Sequence, residues 1–418
     1  MSNFQMQSSS KMPSSGILLV DKPKGVTSHD VVSFARGLLH TKRVGHAGTL
    51  DPMATGLLIL GFGNATRLLN YLLGHNKTYE AVIRLGESTN TDDADGNIIA
   101  SAKSENTILS SSNNANIDEI LKELRVVIEK NFTGSIMQTP TSFSAIKVNG
   151  VRAYDLAREG KDVHLEPREV FIYDFSLLDA HFSVGVSGAK VIDVRASVSC
   201  SSGTYIRALA RDLGRILGVG GHLVSLRRTR IGDFSIEDSR VLKLKSVIRT
   251  FTNKNGVTQT RAKAVLDDSY YSQGSCESQA AGDSSVAGDS PSALPASSPL
   301  ENTLNQRLLS MFESAKLTMQ TVEVSENQAK DLRFGRKITI SAISAKDATK
   351  NATKNAIAYV KATKDEQNDV VAVLETAEKS QATASSSSTL FKSQEKIEKI
   401  EKNTNQIEAK PIVVFVQS

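Results

Sequence analysis

The sequence predicts an α+β fold carrying a second, smaller β-rich unit. Three observations lead there. Strand and helix patterns intermix up to about residue 245 without the regular alternation of a doubly wound sheet. One clean period-two strand and two amphipathic helices frame that region. Beyond it the composition turns polar, and β patterns return only from about residue 306.

Ile17–Val20 reads as a short apolar strand, closed by the turn signal DKPKG. Thr27 or Ser28 then caps a helix whose apolar face is Val31, Ala35, Leu38 and Leu39. Leu57–Leu60 reads as a buried strand and Ala65–Leu73 as a helix. Tyr79, Ala81, Ile83 and Leu85 alternate with Glu80, Val82 and Arg84, the signature of a half-buried strand. Residues 117–130 form the clearest helix, with Ile117, Ile120, Leu121, Leu124, Val127 and Ile128 on one face. Val170–Leu178 and Val191–Cys200 read as strands. Residues 204–217 form an amphipathic helix that buries Ile206, Leu209, Leu213, Ile216 and Leu217, with Arg207, Arg211 and Arg215 as a stripe beside that face.

The first 14 residues are polar and expected to be disordered, with no apolar core of a signal peptide. A low-complexity linker is expected over 246–305, where 272–299 are mostly Ser, Ala, Gly and Pro. Residues 306–418 read as one small domain: TMQTVEV, a helix over ENQAKDLRFG, KITI and a final PIVVFV. A low-complexity insertion is expected at about 344–406, apart from the strand candidates AIAYV and VVAVLE.

Net charge is +5, too little to identify a nucleic-acid binder, but it is unevenly spread. Residues 201–230 hold six arginines against one acid, Asp212, the kind of patch phosphates favour; a solvated helix face gives the same count. Two cysteines, Cys200 and Cys276, make no disulfide framework and fit a reducing compartment. No apolar run reaches membrane-spanning length, so a soluble cytoplasmic protein is expected. The seven histidines are scattered, with no pair at metal-binding spacing, and Asp92, Asp93 and Asp95 make only half a calcium loop because Ala102 stands where its Glu belongs. That loop reads instead as a positioning loop or a plain acidic turn. There is no P-loop, nucleophile elbow or dinucleotide fingerprint, so neither a metal nor a cofactor is expected.

Chemistry gathers at GHAGTLDPMATG, residues 45–56. Its glycines permit tight backbone and close ligand approach, while Pro52 pushes Asp51 out of the helical region. The loop is either an aimed carboxylate or an ordinary turn. Lys77-Thr78-Tyr79 sets an aromatic ring at a strand end, and Tyr205 and Arg207 open the basic helix.

These segments, with GILLVDKPKGVTSHDVV, NATRL, KTYEAVIRLG, the TDDADG loop, QTPTSFSAIKVNGVRAYDLAREG and CSSGTYIRALARDLG, closely resemble the bacterial tRNA pseudouridine synthase B (TruB) family, in unbroken order over about residues 14–240. The resemblance implies a pseudouridine-synthase domain with a long, mostly antiparallel sheet and a central cleft. It implies isomerisation of the T-loop uridine, at position 55 of transfer RNA, after the base is flipped out. It makes Asp51 the catalytic carboxylate, acting on the base, on the ribose or on the C2′ proton. Arg207 becomes its pairing partner and Tyr79 the tyrosine that stacks on the target base or serves as general base. Tyr205 becomes a further pocket contact, His46 the residue filling the vacated stack, and Lys22 a residue near the site. Residues 132–160 match the thumb that folds over the T arm; with five bases and five acids over 131–170 it would clasp by shape more than by charge. One family proline is replaced at Pro140-Thr141. The tail is similar to a diverged PUA-type RNA-binding domain. A monomer acting on the T arm of tRNA, away from any membrane, is expected. A synthase acting on ribosomal or guide-selected RNA, and a protein that refolds tRNA without chemistry, are the rival readings.

Overall fold

In a computed structural model of the chain, residues 12–101, 117–252, 258–270, 303–341, 355–361, 369–376 and 406–415 are described. The segment expected to be disordered falls mainly on residues 1–11, outside the described residues, while Met12 already packs on the core.

An eleven-stranded mixed sheet runs through the first part of the chain. In chain order its strands are β1 (Gly16–Lys22), β2 (Val44–Ala47), β3 (Thr55–Phe62), β4 (Lys77–Leu85), β5 (Gly134–Gln138) and β6 (Arg168–Val184). There follow β7 (Lys190–Cys200), β8 (Gly221–Ile231), β9 (Phe234–Ser235), β10 (Leu242–Thr252) and β11 (Thr258–Leu266). The spatial order is β11-β10-β1-β3-β8-β4-β7-β6-β5, with β2 beside β3 and β9 beside β8. Pairing is antiparallel except at β1–β10 and β3–β8. The expected α+β sheet is thus present, and its one central parallel junction, β3–β8, lies beneath the site.

Helix α1 (Ser28–Leu38) starts where the sequence indicated. Thr27 is its cap: the Asp30 N–H donates to Thr27 Oγ1 at 3.0 Å and the Thr27 N–H to Asp30 Oδ2 at 3.1 Å. Such a reciprocal cap stabilises a helix start by about 1 kcal/mol. Helix α2 (Ile117–Asn131) buries Ile120, Leu121, Leu124 and Ile128 against β6 and β7, each side chain contributing about 1.5–3 kcal/mol on transfer from water. Helix α3 (Ile206–Ile216) covers β8. Its close approach depends on glycine: a Cβ on Gly214 would sit 2.2 Å from the carbonyl carbon of Gly220.

Three expectations shift. The helix over Ala65–Leu73 is split into a 3₁₀ turn, Gly63–Arg67, and a short helix, Leu69–Leu73, with the Thr66 hydroxyl bonded back to the Gly63 carbonyl. The apolar face of α3 stops at Leu213. Ile216 is exposed and Leu217 half-buried, because the helix ends there and the chain turns at Gly218–Gly221 into β8. Finally, the break expected at residue 245 falls inside the β10–β11 hairpin, whose Leu242, Leu244, Ala264 and Leu266 belong to the core around α1. The rest of the expected linker, 271–302, lies outside the described residues.

The C-terminal part forms a five-stranded sheet from β12 (Gln320–Glu323), β13 (Ile338–Ser341), β14 (Asn355–Val360), β15 (Asp369–Thr376) and β16 (Gln406–Val414), in the order β12-β14-β15-β16-β13. The strand candidates within the expected insertion are therefore interior strands, β14 and β15, with buried faces of Ile357, Val371 and Val373. This unit packs through Ala315, Met319 and Phe415 onto Leu68. No described helix is long and apolar enough to cross a membrane.

Candidate active site

The loop joining β2 to β3 carries Asp51, and it is pinned on both sides. Ser28, in the first turn of α1, accepts from the Leu50 N–H at 2.9 Å and donates to the Leu50 carbonyl at 3.0 Å. The Pro52 carbonyl accepts from the Gly25 N–H at 2.8 Å and from Lys22 Nζ at 3.3 Å. The Gly48 carbonyl accepts from Arg228 Nη2 at 3.0 Å. At the end of the loop Gly56 adopts φ +101° and lies so close to β8 that a Cβ would meet the Arg228 carbonyl at 2.3 Å, which only glycine tolerates. The rigid frame, more than the turn chemistry of Asp-Pro, aims the carboxylate.

Asp51 opens into a cavity of about 260 Å³ that Tyr79, Tyr205, Lys77, Arg207 and Arg228 also line. Its side chain is 37% exposed and lines this cavity. Arg207 Nη2 stands 3.0 Å from Asp51 Oδ2. The enclosure pushes the Asp51 carboxyl above its ordinary value; Arg207 pulls against that shift, Asp93 adds to it and Lys22 opposes it.

Arg207 is a junction. Nη1 donates to Asp93 Oδ2 at 3.2 Å and to the Thr91 carbonyl at 3.0 Å, and Nη2 donates to the Phe143 carbonyl at 2.9 Å. One turn along α3, Arg211 meets Asp92 at 3.1 Å and donates to the Thr139 carbonyl at 2.7 Å. The acidic TDDADG loop therefore holds two arginines, and both reach residues 139–143 at the foot of the expected thumb. Gln138 closes the joint: it accepts from the Tyr205 N–H at 2.8 Å and donates to the Tyr205 carbonyl at 3.1 Å.

Tyr79 is nearly buried on β4, directly opposite Arg228 of β8. Burial pushes its phenol above the ordinary tyrosine value, so the hydroxyl keeps its proton and the ring offers a face and a donor. The hydroxyl of Tyr205 is likewise pushed up by burial.

Two expected residues lie off the cavity lining. Lys22 is fully buried, with Nζ donating to the carbonyls of Val26 at 2.7 Å, Pro23 at 3.0 Å and Pro52, so it supports the Asp51 loop from behind and offers no surface to RNA. Burial brings it to about 8, with Asp51 opposing the shift. His46 sits half-buried on β2 opposite Leu60, off the cavity lining. Burial, then Arg228 and His29, lower its pKa and favour the neutral imidazole.

The six-arginine patch is also corrected. Arg207 and Arg228 are buried, Arg211, Arg215 and Arg227 are paired with acids, and Arg230 is exposed. Of the stripe Arg207, Arg211 and Arg215, only Arg215 stands well out in solvent. Sequence reasoning missed Lys77, whose Nζ donates to the carbonyls of Leu73 at 2.9 Å and His75 at 2.7 Å and which burial brings to about 8. Its one signal was its parity with Tyr79 along β4. Arg228 was counted as surface charge, and nothing local marks it otherwise. Among the described residues no cluster of His, Cys, Asp or Glu could hold a metal ion.

Residues 36–206 match the family model described as TruB family pseudouridylate synthase (N terminal domain), and 207–268 the tRNA pseudouridylate synthase B C-terminal domain. The chain is 44% identical to a tRNA pseudouridine synthase B of Bifidobacterium longum (strain NCC 2705) over 368 residues, covering 78% of this chain and 88% of that one. It is 51% identical to the protein of that name from Paenarthrobacter aurescens over 55% of this chain and 68% of that one. A solved H/ACA RNP bound to a substrate RNA containing 2′-deoxyuridine shares the fold alone, with a TM-score of 0.51 at 21% identity over 96% of this chain and 85% of that one. The second family match ends at residue 268, two residues past the end of β11, in agreement with the hairpin's place in the main sheet. Both family matches run along the sheet that carries the loop of Asp51 and the helix of Arg207, and the chain belongs to the TruB family of pseudouridylate synthases.

Proposed function

We propose that this chain isomerises the T-loop uridine of transfer RNA, at position 55, to pseudouridine, with Asp51 as the catalytic carboxylate. The Asp51–Arg207 pair facing an aromatic-lined cavity carries the reading, and the names of the curated relatives support tRNA as the substrate class. In the reaction the bond from C1′ to N1 breaks, C1′ bonds to C5, and the C5 proton is exchanged for one on N1. No atom is gained and no electron transferred, so a carboxylate, an arginine and a protonated phenol suffice as chemical groups.

The flipped base enters between Tyr79 and Tyr205, at an unstacking cost of a few kcal/mol that contacts in the cavity offset. Arg207 orients Asp51 and offsets the cost of ionising it. Lys22 and Arg228 act as positioning residues that hold the loop. His46, half-buried on β2, meets the distorted loop of the RNA. Residues 132–160 are the thumb that closes on the T arm, anchored through Thr139 and Phe143 to the two arginines of α3. The five-stranded C-terminal unit is PUA-like. The protein works as a cytoplasmic monomer.

The test offers the purified chain a tRNA T-arm stem-loop and, separately, fragments of ribosomal RNA. Pseudouridine at the T-loop position and none in the ribosomal fragments is the expected result. Conversion of the ribosomal fragments alone would overturn the substrate assignment.

A further inference from the structure

The β10–β11 ribbon has a property the catalytic site does not use. Its two strands carry Lys243, Lys245, Arg249, Arg261 and Lys263, and no acidic residue. Period-two alternation and the antiparallel register put all five on one face, together with Phe251. The opposite face at the base of the ribbon is apolar and buried in the core around α1. Two of the bases are committed: Lys263 pairs with Asp30 at 3.1 Å, and Lys245 with Asp268. Arg249 and Arg261 are exposed and have no carboxylate partner among the described residues.

These two arginines are direct cross-strand partners. Like charges directly opposite each other destabilise a strand pair, so the fold gains nothing from this placement on its own. An anion between them reverses the sign, and the planar guanidinium fork fits phosphate oxygens. Beside them Phe251 is 39% exposed, with Arg261 at 5.3 Å and Lys263 at 5.7 Å from its ring centroid. A basic track interleaved with an exposed aromatic ring suits a nucleic-acid backbone and its bases.

The ribbon's other face supports the frame of the site. Gly25, whose N–H holds the Pro52 carbonyl next to Asp51, packs against Ser246 and Ala262, on the face opposite the basic residues. Arg249 stands three residues further out, roughly 10 Å at the strand rise.

We propose that the β10–β11 ribbon is a docking site for the phosphodiester backbone of the substrate RNA, with a phosphate held between Arg249 and Arg261 and a nucleobase against Phe251. The proposal rests on RNA being the substrate. It names a contact outside the cavity, on a part of the RNA other than the flipped nucleotide.

The experiment measures tRNA affinity of the full chain across a range of salt for three proteins: the unaltered chain, Arg249→Gln/Arg261→Gln, and Arg249→Lys/Arg261→Lys. The glutamine variant is expected to bind roughly tenfold more weakly, with a slope of log K against log salt shallower by about 0.7–0.9, the release from one phosphate contact. The lysine variant keeps most of the slope because it keeps the charge. Thermal unfolding of the glutamine variant is expected at or above that of the unaltered chain, since a repulsive pair is gone. A glutamine variant with unaltered affinity and slope would overturn the proposal, as would equal loss in the glutamine and lysine variants. Pseudouridine formation by the unaltered chain is read separately. A chain that binds through the ribbon yet converts no uridine would leave the docking site standing and overturn the reaction.

Discussion

Arg207 Nη2 lies 3.0 Å from Asp51 Oδ2 while the same guanidinium is held by Asp93, Thr91 and Phe143. The arginine is therefore fixed before any substrate arrives, and Asp51 is oriented by a partner that cannot follow it. Enclosure and fixed charge act on the carboxylate in opposite directions, with enclosure the stronger.

That balance sets the acid limb of the reaction. The active form is the carboxylate, so the rate is full above the Asp51 pKa and falls as pH drops through it. Because that pKa is raised, the limb in single-turnover rate against pH should lie above the ordinary aspartate value of about 3.9. Arg207→Gln removes the largest opposing influence and should move the limb higher still. A limb at or below the ordinary value in the unaltered protein contradicts the burial argument.

Lys22 gives a second pH signature, in stability. Its pKa falls from 10.5 to about 8 on folding, so between those values the unfolded chain binds more protons and stability rises with pH. The difference in melting temperature between the unaltered protein and Lys22→Met should therefore shift in favour of the unaltered protein as pH is raised across that window. A difference that stays flat would place the ammonium in a better solvated setting than the buried one described.

Arg211 ties Asp92 to the Thr139 carbonyl. Arg211→Ala should cost about 1–3 kcal/mol of stability, the range for losing hydrogen bonds to a charged group and leaving a carboxylate half-paired. It should also raise KM more than it lowers kcat, because the thumb loses an anchor while Asp51 keeps Arg207. Equal loss in both constants would instead put Arg211 in the chemical step.

Much of this was legible in the sequence, for identifiable reasons. Strict alternation fixed β4 and with it the inward side of Tyr79, and the period of α2 and the cap of α1 are local signals. Gly and Pro single out the Asp51 loop but leave it as either an aimed carboxylate or an ordinary turn, and the family resemblance chooses between them. What escaped were groups whose partners lie far away in the chain. Arg228 donates to the carbonyl of Leu57 and Lys22 to that of Pro52, and no local pattern distinguishes such buried cations from surface ones. The loop of Asp92 and Asp93 reads in the sequence as a positioning loop or a plain acidic turn, because the arginines it holds are more than a hundred residues on. The β10–β11 ribbon was hidden by its own composition: its basic, threonine-rich strands have one solvated face, and only its base touches the core.

The most direct test of the central claim is pseudouridine formation in a T-arm stem-loop under single-turnover conditions, comparing the unaltered chain with Asp51→Asn. The account predicts product with the former and none above background with the latter, while RNA affinity stays within a few fold. Product from Asp51→Asn, or an unaltered chain that binds the stem-loop and leaves its uridine unchanged, would contradict it.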